Sequence, residues 1–234
     1  MKNWLILAYV ALQASSAWAI FDCVPGVEGS VSRVESLKAV HQIVIKVPHD
    51  VLVRKSSRPR LEIKGPKDLV QNLNFSVANG QIEIDQEKCS RNDQSVEIVA
   101  YMSDLSRLEI LGSSDVDILD EFSGKEAVID ISGAGDVLGS FRTTFMKVMI
   151  KGSGEAKLKG QTESLHIDIW GSGDVSSEKM AAQNVRVSIK GTGDVNVQAE
   201  KTLKVDVYGV GDVRYRGKPQ IEYAKYGTGS LKSF

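Results

Sequence analysis

The sequence predicts an all-β, single-domain parallel β-solenoid, and two observations lead to that prediction. The first is a glycine motif of the form Gly-x-Gly-Asp-Val that recurs seven times, with 21, 19, 19, 20, 18 and 18 residues between successive first glycines. The second is the strict alternation of apolar and polar residues before most copies, which is typical of a half-buried strand. A repeat of this length suits one circuit, or rung, of a narrow three-sided coil.

The glycine motifs are predicted to form one corner of each rung. They read GSSDV, GAGDV, GSGEA, GSGDV, GTGDV, GVGDV and GTGSL, beginning at Gly112, Gly133, Gly152, Gly171, Gly191, Gly209 and Gly227. Glycine is expected at the corners either because φ is positive there or because a Cβ would clash with the adjacent rung. Aspartate is expected because its carboxylate can accept hydrogen bonds from the N–H groups of the corner. The corner residues singled out are Gly133, Gly135, Asp136, Gly171, Gly173, Asp174, Gly191, Gly193, Asp194, Gly209, Gly211 and Asp212.

The strands before the glycines are predicted to stack on one another in parallel. Apolar side chains stand two, four and six residues before the first glycine, as Ile189, Val187 and Val185 do before Gly191. A meander of hairpins would give alternate strands different roles, whereas here the same pattern returns in each repeat. In-register parallel strands about 4.8 Å apart explain this best. An antiparallel barrel or sandwich is the alternative.

Repetition is weaker in the first half of the chain. Residues 20–108 are interpreted as irregular first rungs and residues 109–234 as the regular solenoid; a separate small β-domain before the repeats is the alternative. A short helical turn is expected over Leu69–Leu73. Gly65-Pro66-Lys67 and Ala78-Asn79-Gly80 are turn signals between alternating segments.

Residues 1–19 are predicted to be a secretory signal peptide. Lys2 precedes an apolar stretch, Trp4–Leu12, and Ala17-Trp18-Ala19 matches a small-x-small cleavage site. A buried N-terminal helix is the alternative. No other segment is long and apolar enough to span a membrane. The mature protein is therefore expected to begin near Ile20 and to be periplasmic or extracellular.

The net charge argues against nucleic-acid binding, and the cysteine content suggests a disulfide. The formal net charge of −1 leaves no basic excess for binding nucleic acid. Cys23 and Cys89 are the two cysteines, and in an oxidising compartment an even pair suggests one disulfide. Lipidation of Cys23 is an alternative, although the residues before it lack the small-residue signal of a lipoprotein.

The sequence resembles the GIN-domain family, which is described as the head of auto-transporter adhesins and is common in secreted bacterial proteins. The resemblance rests on VPHDVLV, LEIKGPKDLV, VANGQIEI and LEILGSSDVDI, followed by the GSGDV-type repeats, and covers about residues 30–234. It implies a right-handed parallel β-helix-like fold and an adhesin-like role, and it brings no catalytic residues. The first and last motifs, GSSDV and GTGSL, depart from the pattern as terminal rungs often do.

Stacked acidic residues raise the question of a cation site. One acidic residue lies at the same offset in each of six repeats: Asp115, Asp136, Glu155, Asp174, Asp194 and Asp212. We call this set the aspartate ladder. Like charges one strand spacing apart repel by about 1 kcal/mol per neighbour in water, so hydrogen bonds, lysines or cations must offset them. Corner capping is the favoured interpretation, with calcium binding as the alternative.

The outward residues before the glycines suggest a binding face. Those one residue before four consecutive corners are Trp170, Lys190, Tyr208 and Tyr226, which we call the aromatic column. Exposed aromatic residues at regular spacing are typical of surfaces that bind sugars or proteins. The alternative is a solvent-exposed face of alternating charges that binds no ligand.

The chain is predicted not to be an enzyme, with no cofactor. Its three histidines, His41, His49 and His166, lack zinc-ligand or nucleophile spacing. We therefore expect an exported adhesin-like module that presents a flat parallel β face to a glycan or a protein. The alternatives are a structural envelope protein, which self-associates through the solenoid ends, and, more remotely, a β-helix enzyme acting on polysaccharides.

Overall fold

The structure, a computed structural model, describes residues 23–27, 29–91 and 95–234. The predicted signal peptide, residues 1–19, lies outside the described residues. The described chain is 66% strand and 3% helix and forms one domain with a β-solenoid of about seven turns, which confirms the predicted fold class. Among the described residues, no helix is long and apolar enough to cross a membrane.

Within the described residues the fold consists of one short helix and sixteen strands. In the first half they are β1 (Ser30–Ser36), β2 (Gln42–Ile45), β3 (Val51–Lys55), β4 (Arg60–Pro66), α1 (Lys67–Asn72), β5 (Leu73–Ala78), β6 (Gln81–Gln86), β7 (Glu97–Met102) and β8 (Arg107–Ile110). In the second half they are β9 (Val116–Ile131), β10 (Val137–Ile150), β11 (Glu155–Ile169), β12 (Asp174–Ile189), β13 (Val195–Val207), β14 (Val213–Arg216), β15 (Gln220–Lys225) and β16 (Leu231–Ser233).

Strands β9 to β13 are parallel and stack in register, one rung above another. Val137 of β10 pairs with Ala156 of β11, and thirteen residues further on Ile150 pairs with Ile169. Each of these five strands runs continuously from one glycine corner to the next. Small register shifts, such as that between Lys157 and Lys159, let the strand bend while it keeps its pairing.

The first half is joined to the same sheet but is not wholly parallel. β2 pairs in parallel with β6 and β8, and β3 with β7 and β9. The pairs β1–β4, β4–β7 and β5–β6 are antiparallel, which the repeat pattern did not predict. Arg107 of β8 pairs with Val128 of β9, so the sheet continues across the boundary expected at residue 108. The alternative of a separate small β-domain is thereby excluded.

Each rung buries its alternating apolar residues in one continuous core. Columns of β-branched residues stack through it, as Ile150, Ile169 and Ile189 do at 0% exposure. The expected helical turn is present as α1, one residue or two earlier than predicted, and its Leu69 and Val70 join the core. Identical packing in successive rungs explains why the period is so visible in the sequence.

Burial of His49 makes stability depend on pH. The residue is only 4% exposed, and burial lowers the pKa of its imidazole while the nearby Asp50 opposes that shift. The unfolded state therefore takes up a proton first as the pH falls below about 6.5, and the folded state loses stability there. We expect the unfolding free energy, measured in urea, to fall more steeply between about pH 7 and pH 5 in the wild type than in His49→Gln. Parallel pH curves for the two proteins would contradict this.

Candidate binding face

Close backbone contact between rungs explains the glycine corners. A Cβ on Gly133 would lie 1.7 Å from the carbonyl oxygen of Gly112, and one on Gly191 would lie 1.9 Å from that of Gly171. Of the two reasons expected for glycine at these corners, positive φ is wrong, because among the described glycines only Gly26, Gly80, Gly160 and Gly217 have it. The corners therefore need glycine for lack of space between rungs, not for backbone conformation.

The five aspartates of the aspartate ladder each cap the next corner, whereas Glu155 pairs with Lys157 instead. One carboxylate oxygen of Asp136 accepts the backbone N–H of Glu155 at 2.7 Å, and Asp194 accepts that of Asp212 at 2.8 Å. The same bond is formed by three further pairs, in which the backbone N–H of Asp136 donates to Asp115, that of Asp194 to Asp174 and that of Ser230 to Asp212. The Ser230 hydroxyl and N–H lower the pKa of the Asp212 carboxyl. These bonds help to offset the repulsion between the stacked carboxylates. No cluster of three or more metal-ligating side chains is found in the described part of the chain.

The backbone holds the four residues of the aromatic column one strand spacing apart. Each lies just after a strand and donates its N–H to a carbonyl of the rung before: Trp170 to Ile150 at 2.8 Å, Lys190 to Ile169 at 2.7 Å, Tyr208 to Ile189 and Tyr226 to Val207, both at 2.8 Å. The aromatic side chains are 60%, 50% and 70% exposed at Trp170, Tyr208 and Tyr226. The structure thus places all four predicted residues in a single outward column.

Neighbouring side chains of the column contact one another. The Lys190 ammonium lies over the Trp170 ring, 4.3 Å from its centroid. The rings of Tyr208 and Tyr226 are parallel, with an interplanar angle of 6° and centroids 4.8 Å apart. Cation–π contact and aromatic stacking each contribute about 0.5–1.5 kcal/mol, so the column is partly ordered before anything binds.

The surface beside the column is occupied by ion pairs. Lys147 pairs with Asp168 at 3.6 Å, and Arg186 pairs with Asp206 at 3.7 Å. His166 packs edge-on against Phe145 with centroids 4.8 Å apart, and burial is the first cause of its lowered pKa. The Asp168 carboxylate, which could have oriented His166 as a base, is paired with Lys147 instead.

A second surface feature was not anticipated from the sequence. A groove of about 340 Å³ lies on the strands that follow the glycine corners, with Asp50, Leu52, Asp117 and Leu138 in its lining. The Leu138 side chain is 52% exposed. The available signal was a leucine at an outward position of an alternating strand, next to the inward Val137. The groove is acidic, because Asp115, Asp136 and Glu155 of the aspartate ladder also line it.

Cys23 and Cys89, which the sequence could only suggest as partners, form a disulfide. Val24 donates its N–H to the Cys89 carbonyl at 2.8 Å, so backbone pairing accompanies the covalent link. Structural disulfides are typical of proteins exported to an oxidising compartment. The chain thus carries a mark of export in its described residues.

The fold and its repeats match a known family. The sequence profile described as "Putative auto-transporter adhesin, head GIN domain" matches residues 40–219, and the chain belongs to this family. A search of curated proteins found no match to this chain.

Solved structures share the fold. A protein of Bacteroides fragilis named a putative adhesin has a TM-score of 0.87 at 23% identity, covering 90% of this chain and 100% of its own. A putative adhesin of Parabacteroides distasonis has a TM-score of 0.73 at 19% identity, covering 91% and 100%. A protein of the same species named a putative lipid binding protein has a TM-score of 0.72 at 18% identity, covering 90% and 99%. At these identities the likeness shows the fold alone.

Proposed function

We propose that this protein is an exported, non-catalytic binding module whose aromatic column contacts a glycan or a protein partner. The observation that carries the proposal is the continuous exposed column of Trp170, Lys190, Tyr208 and Tyr226 on an otherwise ion-paired face. Exposed tryptophan and tyrosine are enriched where surfaces bind partners, because they bury much area at little entropic cost.

Three further observations support it. The family and two of the structural neighbours reported above carry adhesin names, which agrees with a binding role. The disulfide agrees with export, and so does the signal peptide predicted at residues 1–19, which would direct the protein to the periplasm or outside the cell. From β9 to β14 the rungs are joined by corners of four or five residues, not by long loops that could surround a substrate.

Trp170 provides a direct spectroscopic test of the exposed column. Once the predicted signal peptide is removed, it is the only tryptophan, because Trp4 and Trp18 lie within residues 1–19. We expect red-shifted fluorescence that iodide quenches efficiently, with weaker quenching in Lys190→Gln because the nearby ammonium attracts the anion. Blue-shifted emission that iodide does not quench would place Trp170 in a core or an interface.

Binding itself is tested with the purified mature protein on a glycan array and on immobilised extracellular proteins. Trp170→Ala and Tyr208→Ala are expected to weaken binding about tenfold or more without lowering the melting temperature. Asn196→Ala, on another outward column, is the matched control and should bind normally. If both column variants bind as the wild type does, the column is scaffold only and the structural alternative is favoured.

A further inference from the structure

Lys190 differs from the other lysine that occupies this position of the rung. Lys151 stands at the equivalent place before Gly152, and its ammonium reaches the buried carboxylate of Asp130 at 2.9 Å. It can do so because the residue beneath it, Ser132, is small and itself donates to Asp130 at 3.0 Å. Lysine at this position is thus able to pair with the acidic residue of the preceding rung.

Trp170 prevents the same pairing for Lys190. It stands where Ser132 stands beneath Lys151, and the Lys190 ammonium rests over its ring instead of reaching the acidic residue of that rung, Asp168. Asp168 is paired with Lys147. Within the described part of the chain, Lys190 therefore forms no ion pair, while Arg107, Lys147, Lys151, Arg186 and Lys204 of the same face all do.

The orientation of the rings decides what can approach the column. Lys190 lies over one face of Trp170, and Tyr208 and Tyr226 cover each other, so these faces look mainly along the solenoid axis. Sideways from that axis the column presents ring edges, phenolic hydroxyls and one ammonium without a carboxylate partner, while the second faces of Trp170 and Tyr226 are not covered by another member of the column. A sugar that stacks on an aromatic ring needs the face. The edge carries the positive end of the ring quadrupole, which favours an approaching anion.

We propose that Lys190 is the anchor for a carboxylate of a protein partner, seated between the edges of Trp170 and Tyr208. The charge-assisted hydrogen bond would be completed by the partner's neighbouring apolar or aromatic side chains, which pack against the two ring edges. This inference rests on the proposed binding function of the aromatic column and selects an acidic protein segment over a glycan as its ligand.

A random copolymer of glutamate and tyrosine is the protein-like probe, and polygalacturonate is the carboxylated glycan that competes with it. We expect the immobilised copolymer to bind the mature protein and Lys190→Gln to lower its affinity about tenfold, the usual loss for one hydrogen bond to a charged group. Lys204→Gln removes the same charge from an ion-paired lysine on the same face and should change the affinity less than about twofold. Added salt should weaken binding of the wild type more than that of Lys190→Gln.

Three results would overturn the inference. The first is that the copolymer does not bind, and the second is that Lys190→Gln and Lys204→Gln lose the same affinity for it. The third is that polygalacturonate binds more tightly than the copolymer, in a way that depends on Lys190. Glycan binding that depends on Trp170 and Tyr208 but not on Lys190 would overturn it while leaving the proposed function intact. If no column variant changes the binding of any probe, both proposals fail.

Discussion

Replacing Gly191 by alanine is expected to lower the free energy of unfolding by at least about 3 kcal/mol. The new Cβ would lie 1.9 Å from the carbonyl oxygen of Gly171 and 2.9 Å from its carbonyl carbon. Both atoms belong to backbone that is held in the rung ladder, since the Gly171 carbonyl accepts the N–H of Thr192 at 2.8 Å. The clash cannot be relieved by a side-chain rotation, so the rungs must separate locally.

Gly124 supplies a matched control for this substitution. It lies within β9, and a Cβ there would meet nothing closer than the Asp104 carboxylate oxygen at 3.8 Å. Gly124→Ala should therefore change stability by less than about 1 kcal/mol, and it can stabilise by restricting the unfolded chain. Urea denaturation of both variants and of Gly133→Ala makes the comparison. Equal midpoints for Gly124→Ala and Gly191→Ala would remove close rung packing as the reason for the corner glycines.

The regular half of the fold was readable from the sequence because each rung solves the same packing problem. Ile150, Ile169 and Ile189 recur at one offset since each stacks on the one before, and parallel pairing follows directly from that recurrence. The antiparallel pairs β1–β4 and β5–β6 could not be predicted in the same way. Each occurs once, so no repetition in the sequence reveals its partner.

The sequence predicted where the residues of the aromatic column lie but not which side chains they contact. Trp170, Lys190 and Tyr208 each precede the first glycine of a corner, and the structure places them in one column. Whether a lysine there pairs with a carboxylate depends on the residue beneath it, serine under Lys151 and tryptophan under Lys190. Such vertical neighbours lie about one repeat apart in the chain and become visible only once the register is known.

The disulfide illustrates a different limit. Cys23 and Cys89 lie 66 residues apart, in segments outside the regular repeats, so no periodicity indicates that they meet. The pairing depends on the course of the first rungs. There Val24 forms an isolated parallel bridge with Ser90.

Reduction of this disulfide is expected to destabilise the mature protein by about 4 kcal/mol if unfolding is two-state, because a link across 66 residues removes that much loop entropy from the unfolded chain. Urea denaturation with and without reductant measures the loss. The double variant Cys23→Ser/Cys89→Ser is the control: it should have the stability of the reduced wild type and no further response to reductant. Near the link, Val24 shares backbone hydrogen bonds with Cys89 and Arg91, and Asp68 accepts the N–H groups of Gly26 and Val27. These few bonds are not expected to replace the covalent link. If the midpoint of the wild type does not move on reduction, the link fastens only its own terminal segment. The disulfide would then contribute nothing to the stability of the solenoid in the oxidising compartment to which we propose the protein is exported.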